Sequence, residues 1–155
     1  MFDVIIDTRE QQPWQFTSSQ INNIEHTKLD TGDYSIKGLE HLLCIERKKS
    51  VAELAGNITA DRFKNELLRM STFKYKFLLL EFDYGDIDMY PENSGLPKYA
   101  MSKVRVKGPF IMKFLSEIQV KYGIHVVCCK NAQYASYIAT NIMKQVDEIE
   151  NGTSN

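Results

Sequence analysis

DYSIKGLEHLLCIERK, residues 33–48, is the stretch on which the fold turns. Asp33–Lys37 and His41–Lys48 have strand character, and Gly38-Leu39-Glu40 between them is a tight, glycine-containing turn, so the stretch predicts a β-hairpin. With the midpoint between Leu39 and Glu40, Asp33 falls directly opposite Glu46. Opposed residues on one face of a hairpin have Cβ atoms roughly 4.5 to 5.5 Å apart, so two carboxylates would face each other. Side chains alternate along a strand, which puts Lys48 beside Glu46, with Arg47, Leu43 and Ile45 on the opposite face.

Two facing carboxylates with a lysine alongside suit the hydrolysis of a phosphodiester. Such chemistry uses a divalent cation to gather charge on the scissile phosphate and to activate a water, and a hard cation such as Mg²⁺ takes oxygen ligands. A lysine held next to them can orient the water or offset negative charge on the phosphate. The bare spacing D-x12-E-x-K is of low specificity; the hairpin register is what gives it meaning. The plainer alternative is a surface salt bridge from Lys48 to Asp33 or Glu46, worth little energetically.

Outward from the hairpin, Phe2–Ile6 (FDVII) predicts a strand with Asp7 at its end, and 24–29 a second extended piece before the turn Asp30-Thr31-Gly32. Ser50-Val51-Ala52-Glu53 matches a capping box, predicting a short helix from Ser50 to Gly56-Asn57. A second helix follows from Thr59 or Ala60 to Met70, with Phe63, Leu67 and Met70 on one side and Arg62, Glu66 and Arg69 on another. Phe77–Leu80 (FLLL) is the unbroken apolar run of a strand covered on both faces. Residues 83–108 read as a long loop, and Pro109 opens a helix with Phe110, Phe114 and Ile118 on one face and Gly123 at its end. Ile124–Cys129 predicts a buried strand. Asn131 caps a last helix with an apolar stripe of Ala135, Ile138, Ala139, Ile142 and Val146. Strands and helices in this order predict an α/β three-layer sandwich: a mixed central sheet carrying the hairpin, with helices on both faces. A single domain over 1–150 and a flexible tail over 151–155 are expected.

The 155 residues carry a net charge of −1, which by itself argues against a polyanionic partner, so any nucleic-acid site must be a local patch. Arg47, Lys48 and Lys49 form one basic cluster, and Lys98, Lys103, Arg105 and Lys107 lie along one stretch; solvated surface is the bland alternative. Arg62 and Arg69 share a helix from which a backbone phosphate is within reach. Trp14 is a candidate for stacking on a base or, more plainly, for covering the core. Three cysteines, Cys44, Cys128 and Cys129, without CxxC spacing predict reduced thiols, and no run approaches the roughly 20 apolar residues of a membrane span. A soluble, cytoplasmic protein is expected, in a host cell's cytoplasm if the source is viral.

The motifs DTRE at 7–10, GDY at 32–34 and ERK at 46–48 resemble the nuclease domain of the XPF-type structure-specific endonuclease family, within the PD-(D/E)xK superfamily. The likeness extends through Ser50–Gly56, Asp61-Arg62-Phe63 and the region from Lys121-Tyr122-Gly123-Ile124 to Ala135, nearly the whole chain. It implies a restriction-endonuclease-like core, Mg²⁺ or Mn²⁺ dependence and cleavage of branched, flap or junction DNA. Carried over by position, Asp33 and Glu46 would be metal ligands, Asp7 a further acid of the site, Lys48 the catalytic lysine and Arg47 a phosphate-facing or structural partner, with Arg9 and Glu10 weaker candidates. The family's acid, separated from ERK by three residues, falls here on Ala52, with Glu53 one further on, where its capping role suffices to explain it. DNA contacts would come from Arg62, Lys103, Arg105 and Lys107. A stand-alone domain without the family's tandem helix-hairpin-helix domain is expected, similar to compact forms from viruses of microbes and from mobile elements, with a separate DNA-targeting partner in its place; dimerisation through the helical part is implied by the family alone. The competing reading is a catalytically inactive module that keeps the fold to bind DNA or a partner.

Overall fold

The computed structural model describes residues 1–152, and all that follows concerns these. Their strands are β1 (Phe2–Ile6), β2 (Ile21–His26), β3 (Tyr34–Ile36), β4 (Leu43–Lys48), β5 (Tyr75–Leu80) and β6 (His125–Cys128). They make one mixed sheet in the order β2-β1-β3-β4-β5-β6. The hairpin lies at its centre: β3 is antiparallel to β1 and β4, while β1–β2, β4–β5 and β5–β6 run parallel. Tyr34 pairs with Ile45, the register the turn predicts, and brings Asp33 and Glu46 to the same end of the hairpin. The Asp33 amide donates to the Ile45 carbonyl at 2.8 Å, and the Asp7 amide to the Asp33 carbonyl at 2.9 Å, tying the end of β1 to the same place.

The helices are α1 (Val51–Ile58), α2 (Asp61–Met70), α3 (Tyr84–Asp88), α4 (Lys98–Met101), α5 (Gly108–Tyr122) and α6 (Ala132–Asn151). One face of the sheet, with Cys44, Leu78 and Leu80, packs against Leu54, Leu67, Ile111 and Leu115 of α1, α2 and α5. The other, with Val4, Ile6, Ile36, Leu43, Ile45 and Leu79, is covered by Ala135, Ala139 and Met143 of α6 and by Trp14. Leu79 thus turns away from its neighbours Leu78 and Leu80, and the apolar run in β5 is consumed by burial on both sides. This is the three-layer sandwich expected.

Several boundaries and faces differ from expectation. The second strand is 21–26 rather than 24–29, because pairing with β1 from Phe2↔Ile21 to Ile6↔His26 sets its extent, not its own polar composition. In α1, Gly56 and Asn57 do not end the helix; it runs to Ile58, whose burial supplies the reason to continue. Ser50 Oγ accepts from the Glu53 amide at 3.1 Å, but no described hydrogen bond returns from the Glu53 carboxylate. Only half of the expected capping box forms. The stretch 83–108 holds α3 and α4, α3 being opened by a reciprocal box between Asp83 and Asp86. On α5 the buried stripe is Ile111, Leu115 and Ile118, whereas Phe110 is 51% exposed. Among the tail residues, Asn151 closes α6 and Gly152 caps it in a left-handed conformation; 153–155 lie outside the described residues.

Gly32, immediately before Asp33, sits at φ +85, and a Cβ there would meet Cys44 Sγ at 2.6 Å and the Ile45 carbonyl oxygen at 3.2 Å. Gly32→Ala is therefore expected to lower stability by about 2 kcal/mol or more, from the left-handed backbone and the collision together. Urea unfolding checks this; a variant within 0.5 kcal/mol of wild type would show that the turn has freedom the close packing denies.

Candidate active site

The hairpin register delivers Asp33 and Glu46 to the rim of the sheet on the side of α1 and α2. There they border a cavity of about 400 Å³ whose lining also includes Asp7, Lys48, Glu53, Arg62, Phe63 and Glu66. Lys48 Nζ lies 3.5 Å from Glu46 Oε1 and 4.6 Å from the centre of the Phe63 ring, and both charged side chains of this pair are more than nine-tenths buried. This is no solvated surface pair. One carboxylate oxygen of Asp33 accepts from the Arg47 amide at 2.9 Å. Glu46 Oε2 is buried with no hydrogen-bond partner among the described residues.

A buried carboxylate oxygen without a donor is costly, and the protonation tendencies register the strain. Burial pushes the Asp33 carboxyl up to about 6, against the opposing pull of the Arg47 amide. Burial likewise drives Glu46 well above the usual carboxylate range, reinforced by the negative field of Asp33 and by the adjoining Glu66 carboxyl, with Lys48 only partly offsetting them. Three acids converge on a place that Lys48 alone does not neutralise, the arrangement a cation would relieve.

Arg47 projects to the other face, as strand alternation requires. Its Nε donates to Glu81 Oε2 at 2.5 Å, its Nη1 to the Gln12 carbonyl at 2.5 Å, and the guanidinium lies 5.0 Å from the Trp14 ring centre. Glu10 Oε2 is 3.5 Å from the same Nη1, and Trp14 stacks on Tyr34 at 4.3 Å. Arg47 is thus engaged by Glu81, Glu10 and the Gln12 carbonyl although it also borders the cavity, and Trp14, 4% exposed, is a cover for the core.

Asp7 borders the cavity, but its oxygens are engaged: Oδ1 accepts from the Leu29 amide at 2.8 Å and Oδ2 from Arg9 Nε at 2.7 Å. Burial works to raise its pKa, yet the bond from Arg9 and the Leu29 amide together hold the carboxyl below its ordinary value. Glu53 and Arg62, both exposed, also reach the lining, with Arg9 and Arg69 at the rim. Lys103, Arg105 and Lys107 do not line it; they belong to the segment between α4 and α5.

Two residues of this region were not singled out by sequence. Glu66 lies among the acids although its helix pattern grouped it with Arg62 and Arg69 on a polar side, and Glu81 is the main partner of Arg47. The only sequence signal for Glu81 is its position just past the β5 run, level with Lys48 through the Glu81 amide to Lys48 carbonyl bond of 3.0 Å.

Among the described residues no group of three or more His, Cys, Asp and Glu side chains is gathered so as to hold a metal by itself. Two carboxylates with one open buried oxygen nevertheless fit a cation that keeps several of its waters, as Mg²⁺ does. No helix among the described residues is long and apolar enough to cross a membrane.

The family model of the ERCC4 domain matches residues 6–142. No curated protein matches the sequence. Among solved structures the chain is similar to XPF from Aeropyrum pernix, at 16% identity and a TM-score of 0.65, over 93% of this chain and 64% of that one. It is also similar to XPF from Aeropyrum pernix in complex with DNA, at 17% identity and a TM-score of 0.70, over 100% of this chain and 68% of that one. The chain spans about two thirds of the length of those structures, and at such identities the likeness is one of fold.

Proposed function

The chain belongs to the ERCC4 domain family, and on that premise we propose that it is a Mg²⁺- or Mn²⁺-dependent deoxyribonuclease, an endonuclease that hydrolyses phosphodiester bonds in branched, flap or junction DNA. The observation that carries this reading is that the Tyr34–Ile45 pairing brings Asp33 and Glu46 to the same end of one hairpin, with Lys48 beside Glu46 and Glu46 Oε2 left open. Both acids present oxygen, the donor a hard cation prefers, and Asp33 and Glu46 would hold it. When bound, the cation supplies charge to gather on the scissile phosphate and acidity for the attacking water.

The chain's own residues do the rest. Asp33 is fixed by the Arg47 amide, so its carboxylate is aimed rather than mobile. Lys48, desolvated against Phe63, presents its ammonium where negative charge grows on the phosphate, and in a dry site that charge acts more strongly than in water. Asp7 holds Arg9 at the rim, and Arg9, Arg62 and Arg69 surround the mouth as cations for the flanking phosphates. Lys103, Arg105 and Lys107 provide a more distant backbone contact, consistent with DNA passing beyond the cavity. A homodimer or a DNA-targeting partner would select the junction.

The test is to incubate the protein with single-stranded, duplex, flap and fork DNA in Mg²⁺, Mn²⁺ or EDTA, beside Glu46→Ala and Lys48→Ala. Wild type is expected to cut flap or fork DNA with either metal and not in EDTA, with each variant slower by about a hundredfold or more. No cutting by wild type, or equal cutting by the variants, sinks the proposal.

A further inference from the structure

We infer that Glu66 is a third acidic arm of the cation seat, reaching it from α2 and acting on the water shell of the ion rather than as a direct ligand; this rests on the metal-dependent reading above. The position of the residue is the first reason. Glu66 lines the same cavity as Asp33, Glu46 and Lys48, and its negative charge, after burial and the field of Asp33, helps to raise the Glu46 carboxyl. It is partly exposed, as a group facing solvent within the cavity mouth would be.

The company it keeps is the second reason. Arg62 and Arg69 stand four residues before and three after Glu66 on the same helix, the spacings at which an acid pairs with a base. Yet among the described residues Glu66 forms no salt bridge with either: Arg69 Nε donates instead to Thr31 Oγ1 at 3.1 Å. The acid lies beside Asp33 and Glu46 in the cavity and makes no ion pair with either helix neighbour among the described residues. A helix in water gains by the opposite choice, and a sequence that forgoes a local gain at one place is expected to do so at a functional site.

Glu46 supplies the independent observation. Its Oε2 is buried, without a partner, and belongs to a side chain more than nine-tenths buried. A cation approached by that oxygen would sit in the cavity that Glu66 also lines. Since no third acid is gathered closely enough to ligate at once, Glu66 would contact the ion through water, which suits Mg²⁺ because it gives up its waters reluctantly. Groups in such a position commonly change metal affinity by 10- to 100-fold.

Mn²⁺ binding, followed by calorimetry and by the loss of free-ion paramagnetic resonance signal, tests this without any cleavage assay. Glu66→Gln keeps the shape and removes the charge. It is expected to weaken Mn²⁺ binding about tenfold, while Glu117→Gln on α5, outside the cavity, leaves the affinity at wild type. Thermal unfolding without metal should show Glu66→Gln as stable as wild type or more so, because a like charge has gone. If wild type binds Mn²⁺ and Glu66→Gln binds it equally well, the role of Glu66 falls and the metal reading stands. An equal loss in Glu117→Gln would also overturn the inference, since net charge alone would then explain the effect. If wild type binds no Mn²⁺, the metal reading itself fails and takes this inference with it.

Discussion

Arg47→Ala is expected to remove about 3 to 5 kcal/mol of folding stability, a large share of what a domain of this size possesses. The loss follows from what the guanidinium leaves behind. The Glu81 and Glu10 side chains are 8% and 6% exposed, and Arg47 is within 2.5 Å of the first and 3.5 Å of the second. Without it two carboxylates remain in a low-dielectric setting, with the Trp14 indole N–H still donating to Glu81 at 3.1 Å and Lys49 3.6 Å from Glu10 as partial substitutes. The Gln12 carbonyl loses its donor and the Trp14 ring its cationic neighbour, so the segment leading into Trp14 loosens as well. Chemical denaturation with the midpoint and slope both recorded measures the effect, and a fall of roughly 10 °C or more in Tm should accompany it. Arg47→Lys should lie between, because an ammonium keeps the charge but not the fork that joins Glu81 to Gln12. A stability for Arg47→Ala within 0.5 kcal/mol of wild type would mean that this network is not what holds the Gln12–Trp14 segment.

The position of Arg47 shows how far the sequence can be read and where it stops. Alternation along β4 is enough to place Arg47 opposite Glu46 and Lys48, because one residue is always half a period away. The hairpin register is legible for a similar reason: the turn at Gly38, with φ +88, fixes the pairing, and every later residue follows from it. What alternation cannot give is the partner across the fold. Glu81 arrives from just past the end of β5, distant in sequence, and beyond that position nothing local marks it as the partner of Arg47. Glu66 is harder still, since a helical wheel groups it with Arg62 and Arg69 as a polar side, and a polar side facing a cavity reads like one facing solvent. The helix α5 misleads in the other way. Phe110 and Phe114 draw attention by size, yet Ile111, Leu115 and Ile118 form an equally regular stripe, and the packing against α1 and α2 uses that one. Asp7 lies where its motif suggests, but its oxygens are spent on Arg9 and on the Leu29 amide, an engagement that depends on the 27–33 turn and not on the DTRE run itself.

Glu46→Gln combines the second large effect with an opposite one. Cleavage should fall by about a thousandfold, because several kcal/mol of cation-derived stabilisation of the transition state is lost at about 1.4 kcal/mol per tenfold. Metal-free stability should rise. The sign follows from linkage: burial lifts Glu46 well above the usual carboxylate range and Asp33 to about 6, so between their unfolded values and these the folded protein binds more protons than the unfolded chain. The contribution is fully present below the unfolded values near 4 and is lost as pH rises through the folded ones. Metal-free wild type is therefore expected to lose stability from about pH 4 upward past pH 6. Glu46→Gln removes one titrating group and the repulsion on Asp33, so its stability should decline less over that range and exceed wild type at pH 8. Added Mg²⁺ should stabilise wild type most at pH 8, where the acids are ionised, and stabilise the variant little at any pH. Thermal melts at pH 4.5, 6 and 8, with EDTA and with Mg²⁺, separate these cases. A wild type whose metal-free stability rises with pH, or a glutamine variant that melts below it at pH 8, would show that Glu46 is held by interactions in the fold and not kept open for a cation.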